Sequence, residues 1–252
     1  MSNASDIFDF LDSFAPFAAA APWDNSGFLI GDENVPVKKC IVALDVTEKE
    51  IKEASARGAQ LIIAHHPLIF HPQKAFLKNN IAYEAAANGI AVIGVHTNLD
   101  KAPGGVNDTL CETLGMQFIK EDAETAEGFL NSGTLPVTGS CAEIAEYISE
   151  KLGNAVRYSM PEYRPSRFAV CSGAGGDLAA DAKAAGCDAL ITGDASYHEF
   201  LDANNLGVAL FAAGHYATEI VIVPKLAQML SERFPEIEFI VSDRANPIST
   251  VK

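Results

Sequence analysis

From Lys38 to Val95 the chain alternates apolar runs with helical segments: KKCIVALDV, TEKEIKEASARG, AQLIIA, a helix around NNIAYEAAANG, then IAVIGV. No other feature restricts the fold as much. Short apolar runs without polar alternation are buried on both faces, and the intervening helices supply the cover. The pattern therefore dictates a largely parallel sheet. Thr47 and Glu50 form a capping box for the first of these helices, and Gly58 and Gly89 fall where helix C-caps belong. VNDTLCETLG continues as a helix, and EDAETAEG is an acidic, loop-like passage. The rhythm then restarts: helix SCAEIAEYISEKLG, strand RFAVCSG, helix DLAADAKAAG, strand CDALITGD, helix SYHEFLDANNLG and strand VALFAAG. A long helix from about His215 to Arg233 precedes the last strand, IEFIVSD. Ahead of all this, IFDFLDSFAPFAAA predicts an amphipathic helix ending near Pro22, and WDNSGFLIGD a turn and short strand. The expectation is an α/β chain of two lobes, 1–126 and 127–252. Each holds a largely parallel or mixed sheet flanked by helices, with the boundary near Glu121 to Gly128. The lobes share a rhythm but no sequence repeat.

Composition removes several classes. A chain of 252 residues that is 48% hydrophobic, with mean hydropathy +0.11, buries a real core and is not dominated by disorder. No window offers the eighteen consecutive apolar residues of a membrane span. The N-terminus lacks the basic start of a signal peptide, and Asp6, Asp9 and Asp12 interrupt its apolar residues, so a cytoplasmic location is expected. Cys40, Cys111, Cys141, Cys171 and Cys187 are scattered with no CxxC pair, against both a disulfide framework and a zinc-thiolate site. The net charge of -15 argues against broad binding to nucleic acid or anionic membranes.

The histidines carry the chemistry. Of the six, five lie on segments leaving the C-terminal ends of apolar strands, where ligand sites of open α/β sheets form. His65 and His66 follow LIIA, and Pro67 ends the ladder there because it has no N–H to donate. His71 is a little further on. His96 follows AVIGV and opens HTNLDKAPGG, with Asp100 one turn later. His198 lies just past ALITGD, and His215 follows VALFAAG. Residues i and i+4 share a helix face, so His215 and Glu219 of HYATE can reach one ion or two neighbouring ions. Imidazoles and carboxylates converging from separate strand ends suit a first-row divalent metal, and this many donors suits two. Asp194 is read as a helix N-cap or a group supporting the site, and Asp45 as a residue facing the cleft or a cap. The Gly-rich SGAGGD, Ser172 to Asp177, is read as a tight turn, with phosphate binding as the alternative.

WDNSGFLIGD, AHHPLIF, GVHTNLDKAPGGVND, ITGDASYHEF and AAGHYATE, in that order along nearly the whole chain, resemble the Nif-three-like family. Its bacterial members are labelled GTP cyclohydrolase 1 type 2 homologues, and this chain is similar to the short form, without a mid-chain insertion. The resemblance implies a two-lobed α/β fold, a dinuclear metal site in the cleft between the lobes, and a toroidal homohexamer. It carries the ligand pattern onto His65, His66, Asp100, His215 and Glu219, with His96 beside them. A nitrogen and oxygen donor set without thiolate suits zinc, iron or manganese. Two functional readings follow. One is a metal-dependent hydrolase acting on a nucleotide- or pterin-like substrate, with His96 or His198 moving protons. The other is a non-catalytic metal-handling protein or ring-shaped scaffold. In the N-terminal helix, Ile7, Phe10, Leu11 and Phe14 form one stripe. Phe8 and Phe17 fall off it, toward another subunit or a second layer of core.

Overall fold

The structure, a computed structural model, describes residues 2–121, 126–243 and 245–249. In chain order its elements begin with α1 (Ala4–Phe14), β1 (Gly27–Ile30), β2 (Lys39–Ala43), α2 (Glu48–Arg57), β3 (Leu61–Ala64), α3 (Ile81–Ala87), β4 (Ala91–Gly94) and α4 (Thr97–Lys101). They continue through α5 (Val106–Thr113), β5 (Gln117–Glu121), β6 (Asn131–Thr134), α6 (Cys141–Leu152), β7 (Arg157–Tyr158), β8 (Phe168–Cys171), α7 (Ala179–Ala184) and β9 (Ala189–Thr192). The last are α8 (Tyr197–Leu206), β10 (Ala209–Ala212), α9 (His215–Glu219), α10 (Ile222–Arg233) and β11 (Glu238–Val241). The expected α/β class is present, with two mixed sheets flanked by helices.

The first sheet runs β1-β4-β3-β2-β11. Its four inner and late strands pair in parallel, and only β1 is antiparallel, to β4. β2, β3 and β4 read as continuous apolar runs because both faces are covered; every residue of LIIA and AVIG is buried. Ile51 and Ala54 of α2 and Ala85 of α3 pack with Ile41, Ile62 and Val92 from those strands. Thr47 and Glu50 close the expected capping box, and Gly58 turns the chain out of α2 at φ 65°. The second sheet runs β5-β6-β8-β9-β10-β7. β8, β9 and β10 are parallel; β5, β6 and β7 join by antiparallel pairing.

Contacts gather the described residues of Met1–Pro103 and Ile222–Ala245 into one compact unit, and those of Gly104–Val221 and Asn246–Lys252 into a second. The sequence reading divides the chain at 126/127 instead, within a stretch whose residues 122–125 lie outside the described ones. The difference has a simple source. β11 pairs in parallel with β2, in register Phe239 to Cys40 and Ile240 to Ile41, so the last helix and strand complete the first sheet.

Two helices end earlier than expected. α1 stops at Phe14 because Pro16 biases Ala15 toward extended backbone (φ -132°, ψ 82°), and a single 3₁₀ turn at Phe17–Ala19 follows. The long helix expected from His215 to Arg233 is two helices, α9 and α10. Pro224 cannot donate to the carbonyl four residues back, and its ring crowds that carbonyl, so the chain breaks just before α10. The rings left off the α1 stripe pack within the chain: Phe8 stacks on Phe17 at 4.5 Å and meets Phe28 edge-on at 6.2 Å. No helix among the described residues is long and apolar enough to cross a membrane.

Candidate metal centre

In the first unit the parallel ladder runs two residues past the end of β3. His65 N–H donates to Ala43 O and His66 N–H to Leu44 O, which brings Asp45 alongside His66. On the other side Val95 N–H donates to Ala64 O, which sets the Val95 carbonyl beside His65. These two neighbours orient the imidazoles. His65 Nδ1 lies 3.0 Å from Val95 O, and His66 Nδ1 lies 2.8 Å from Asp45 Oδ1. His96, at the start of α4, is held through Nδ1 by Asp24 Oδ1 at 2.9 Å.

The three rings form a tight triangle, with centroids 5.0, 5.1 and 5.5 Å apart. Each offers a ring nitrogen within 4.8 Å of the other two. Because every Nδ1 is held by an oxygen, Nε2 is the edge each presents to the shared locus. This is how metal-binding histidines are fixed: the outer acceptor sets tautomer and ring direction. Asp100, one turn along α4 from His96, puts Oδ1 3.5 Å from His65 Nε2. His65 is nine-tenths or more buried, so the set sits at the floor of the strand ends.

Asp24 is the residue that sequence reasoning passed over. Its fully buried carboxylate accepts from His96, from the Thr97 hydroxyl at 2.6 Å and amide at 3.1 Å, and from the Ser26 hydroxyl at 2.7 Å. Burial alone would raise its pKa, but the hydrogen bonds from His96, Thr97 and Ser26 outweigh burial and hold it well below the usual carboxylate range. The available signal was its place in WDNSGFLIGD, one of the blocks that carry the resemblance.

The second unit builds a smaller donor group in the same way. Ala213 N–H donates to Thr192 O and Gly214 N–H to Gly193 O, extending the β9–β10 ladder to the residue just before α9. His215 Nδ1 then lies 2.9 Å from Asp194 Oδ2, and His215 Nε2 lies 3.1 Å from Glu219 Oε2 one turn on. Glu219 is buried. SGAGGD is a close-packing device here. A Cβ at Gly173 would stand 2.3 Å from Glu219 Oε1, and one at Gly193 2.5 Å from Gly173 O. The amides of Gly173 and Gly175 donate to the Thr218 and Thr192 hydroxyls, which argues against the phosphate cradle.

Asp194 is thus the group that orients His215. His198 is exposed on the first turn of α8, edge-on to Tyr197, and neither it nor His71 belongs to a cluster of metal donors among the described residues. His96 clusters with His65 and His66 as a donor as well as standing beside them. All five cysteines are buried and none is in a disulfide; burial pushes Cys111 up to about 12 and Cys141 up to about 11, so thiolate ligation is unfavourable. Imidazole nitrogens oriented by oxygen acceptors, with buried carboxylates beside them, fit a first-row divalent ion.

The family model for Duf34/NIF3 (NGG1p interacting factor 3) matches residues 2–247. The chain belongs to the Duf34/NIF3 family. Among relatives within it, a GTP cyclohydrolase 1 type 2 homolog of Clostridium perfringens is 34% identical, with 96% of each chain covered. A NIF3-like protein 1 of Drosophila melanogaster is 29% identical over 96% of this chain and 87% of its own. The crystal structure of a Staphylococcus aureus hypothetical protein superposes with a TM-score of 0.91 at 28% identity, covering 99% of both chains. Reduced HcgD from Methanocaldococcus jannaschii superposes at 0.83 with 29% identity, over 96% of this chain and 98% of that one. The family also accounts for the fold class read from the alternating pattern.

Proposed function

We propose that this family member is a dinuclear divalent-metal protein acting as a metal-dependent hydrolase on a nucleotide- or pterin-like substrate. His65, His66, Asp100, His215 and Glu219 hold the ions, with His96 as a further donor or proton carrier. One observation carries the reading: four imidazoles at strand ends, each with Nδ1 fixed by an oxygen, from Val95, Asp45, Asp24 and Asp194. The homologue label of the bacterial relatives supports the substrate class.

Bound divalent ions supply a water acidified toward neutral pH and a Lewis acid for the scissile centre. The chain's own part is orientation and proton transfer. Asp45, Asp24 and Asp194 keep their histidines in the tautomer that presents Nε2. His96 accepts or returns a proton at Nε2 while Asp24 holds its Nδ1 edge. The ring assembly implied by the resemblance belongs to the same reading.

A second reading, a non-catalytic metal-handling or scaffold protein, is favoured by the place of His198 outside both metal-donor clusters of the described residues. Metal analysis of the purified protein, followed by a hydrolysis screen of nucleotides and phosphoesters with that metal restored, separates the two. Turnover that is lost in His96→Gln with metal retained supports the hydrolase. Full metal loading without turnover on any of them supports the binder.

A further inference from the structure

Beside the histidine triangle the first unit displays two aromatic rings to solvent. Trp23 is 60% exposed and Phe70 is 40% exposed. A single exposed aromatic residue is ordinary. Here the two rings touch, with centroids 6.0 Å apart and planes tilted by 54°. Both also meet His96 edge-on, at 6.1 Å and at angles of 75° and 77°. The result is an aromatic corner standing directly on a metal-donor histidine.

The corner is built, not incidental. Asp24 N–H donates to Ala21 O in a tight turn that sets the indole outward. The next side chain, Asn25, donates from Nδ2 to Ile69 O at 2.6 Å, tying the Trp23 turn to the segment that carries Phe70. That segment lies in residues 65–80, a connection well beyond the usual length of about 4–6 residues, and connections of that length in compact domains are commonly functional. Asp24 and Ser26 in the same four residues hold His96. The stretch WDNS therefore locks the aromatic corner and the metal-donor ring into one rigid piece.

We propose that Trp23 and Phe70 form a stacking shelf for the planar heteroaromatic ring of a nucleoside phosphate. The inference rests on the metal-site reading above and assigns the substrate's ring to one face of it. Stacking on an indole suits any planar heterocycle, because every such ring has a π face. The net charge of -15 repels a free polyphosphate, so the phosphates need bound divalent ions while the ring does not. The two parts of the ligand should thus respond to metal separately.

Trp23 is the only tryptophan in the chain, so its emission reports on the shelf alone. Guanosine, GTP and tripolyphosphate are titrated into metal-free and zinc-loaded protein. Guanosine is expected to quench Trp23 emission in both forms, and GTP to bind at least about tenfold tighter with zinc; tripolyphosphate should not quench. By equilibrium dialysis, Trp23→Ala should weaken GTP binding by roughly tenfold with zinc content unchanged, and Trp23→Phe should stay within about threefold of wild type. Wild-type GTP affinity in a zinc-replete Trp23→Ala variant would overturn the shelf, as would guanosine failing to quench zinc-loaded protein. A Trp23→Ala change that alters native mass but not GTP affinity would make the corner a subunit contact and also overturn it. If wild-type protein binds no zinc but guanosine still quenches, the shelf stands and the metal reading falls.

Discussion

Glu219 occupies the space that a side chain on Gly173 would need: a Cβ built on Gly173 would lie 2.3 Å from Glu219 Oε1. Gly173→Ala should therefore displace the carboxylate as well as strain the backbone, since Gly173 has φ +63°. Gly58 separates the two effects. It has nearly the same φ, +65°, with nothing within 4 Å of its missing Cβ. Both variants should lose about 1 kcal/mol from backbone strain. Only Gly173→Ala should also weaken zinc binding, by at least about tenfold, in a chelator competition. Equal zinc affinity in the two would mean that Glu219 is not a ligand.

Asp24 and Asp45 both hold a histidine of the proposed metal site through Nδ1, but they differ in burial: the Asp24 side chain is fully buried, and that of Asp45 is 32% exposed. Each Asp→Asn change should cost roughly 10–100-fold in metal affinity. Asp24→Asn should also cost about 2 kcal/mol of stability, or ~5 °C in a thermal melt, because its amide opposes donors from His96, Thr97 and Ser26. Asp45→Asn should melt close to wild type. A matching loss of stability in both would show that the outer acceptors are structural props first.

The depressed pKa of Asp24 also sets an acid limb. In the unfolded chain this carboxyl titrates near pH 4, and in the folded protein well below that. The stability it contributes is complete above the unfolded value and is lost as pH falls toward the folded one. For metal-free protein, the advantage of wild type over Asp24→Asn should hold constant from pH 7 to about 5 and shrink below about pH 4. A gap that instead widens on acidification would mean that the carboxylate is not stabilised as described.

Elements set by local signals were legible in the sequence. The strands β2, β3, β4, β8, β9 and β10 announced themselves as apolar runs, and Thr47 and Glu50 marked the start of α2. β6, with sequence NSGT, did not, because its polar residues are buried by pairing with β8 and not by their own hydrophobicity. The place of β11 was hidden for another reason. Which sheet a strand joins is decided by long-range register, here Phe239 opposite Cys40, and no local pattern encodes it. The histidines were legible because strand ends are; Asp24 was not, because a carboxylate in a turn looks like a solvated residue until His96 and Thr97 are folded onto it.

Assembly tests a separate part of the reading. A native mass near six chains is expected by light scattering, and it should persist in a His65→Ala, His66→Ala double variant. Phe8 and Phe17 stack on each other within the chain, so they need no second subunit to cover them. A monomeric wild type would remove the ring. Dissociation only on metal loss would make the ions structural and favour the non-catalytic reading.

The sharpest comparison of direct and indirect roles is between Glu219 and Asp194, which flank His215 on opposite ring nitrogens at 3.1 and 2.9 Å. Glu219 is buried, whereas the Asp194 side chain is 52% exposed. A buried carboxylate opposite Nε2 is placed to bind the ion; an exposed one on Nδ1 is placed to steer the ring. Elemental analysis of reconstituted wild type should approach two ions per chain. Glu219→Gln replaces a charged donor by a neutral amide and should fall to one or fewer. Asp194→Asn leaves every donor in place and should still reach two at saturating metal, with the second ion bound roughly 10–100-fold more weakly. A wild-type plateau at one ion would sink the dinuclear reading while leaving a metal site. Equal loss in the two variants would place Glu219 outside the coordination shell and leave the three-histidine cluster as the centre.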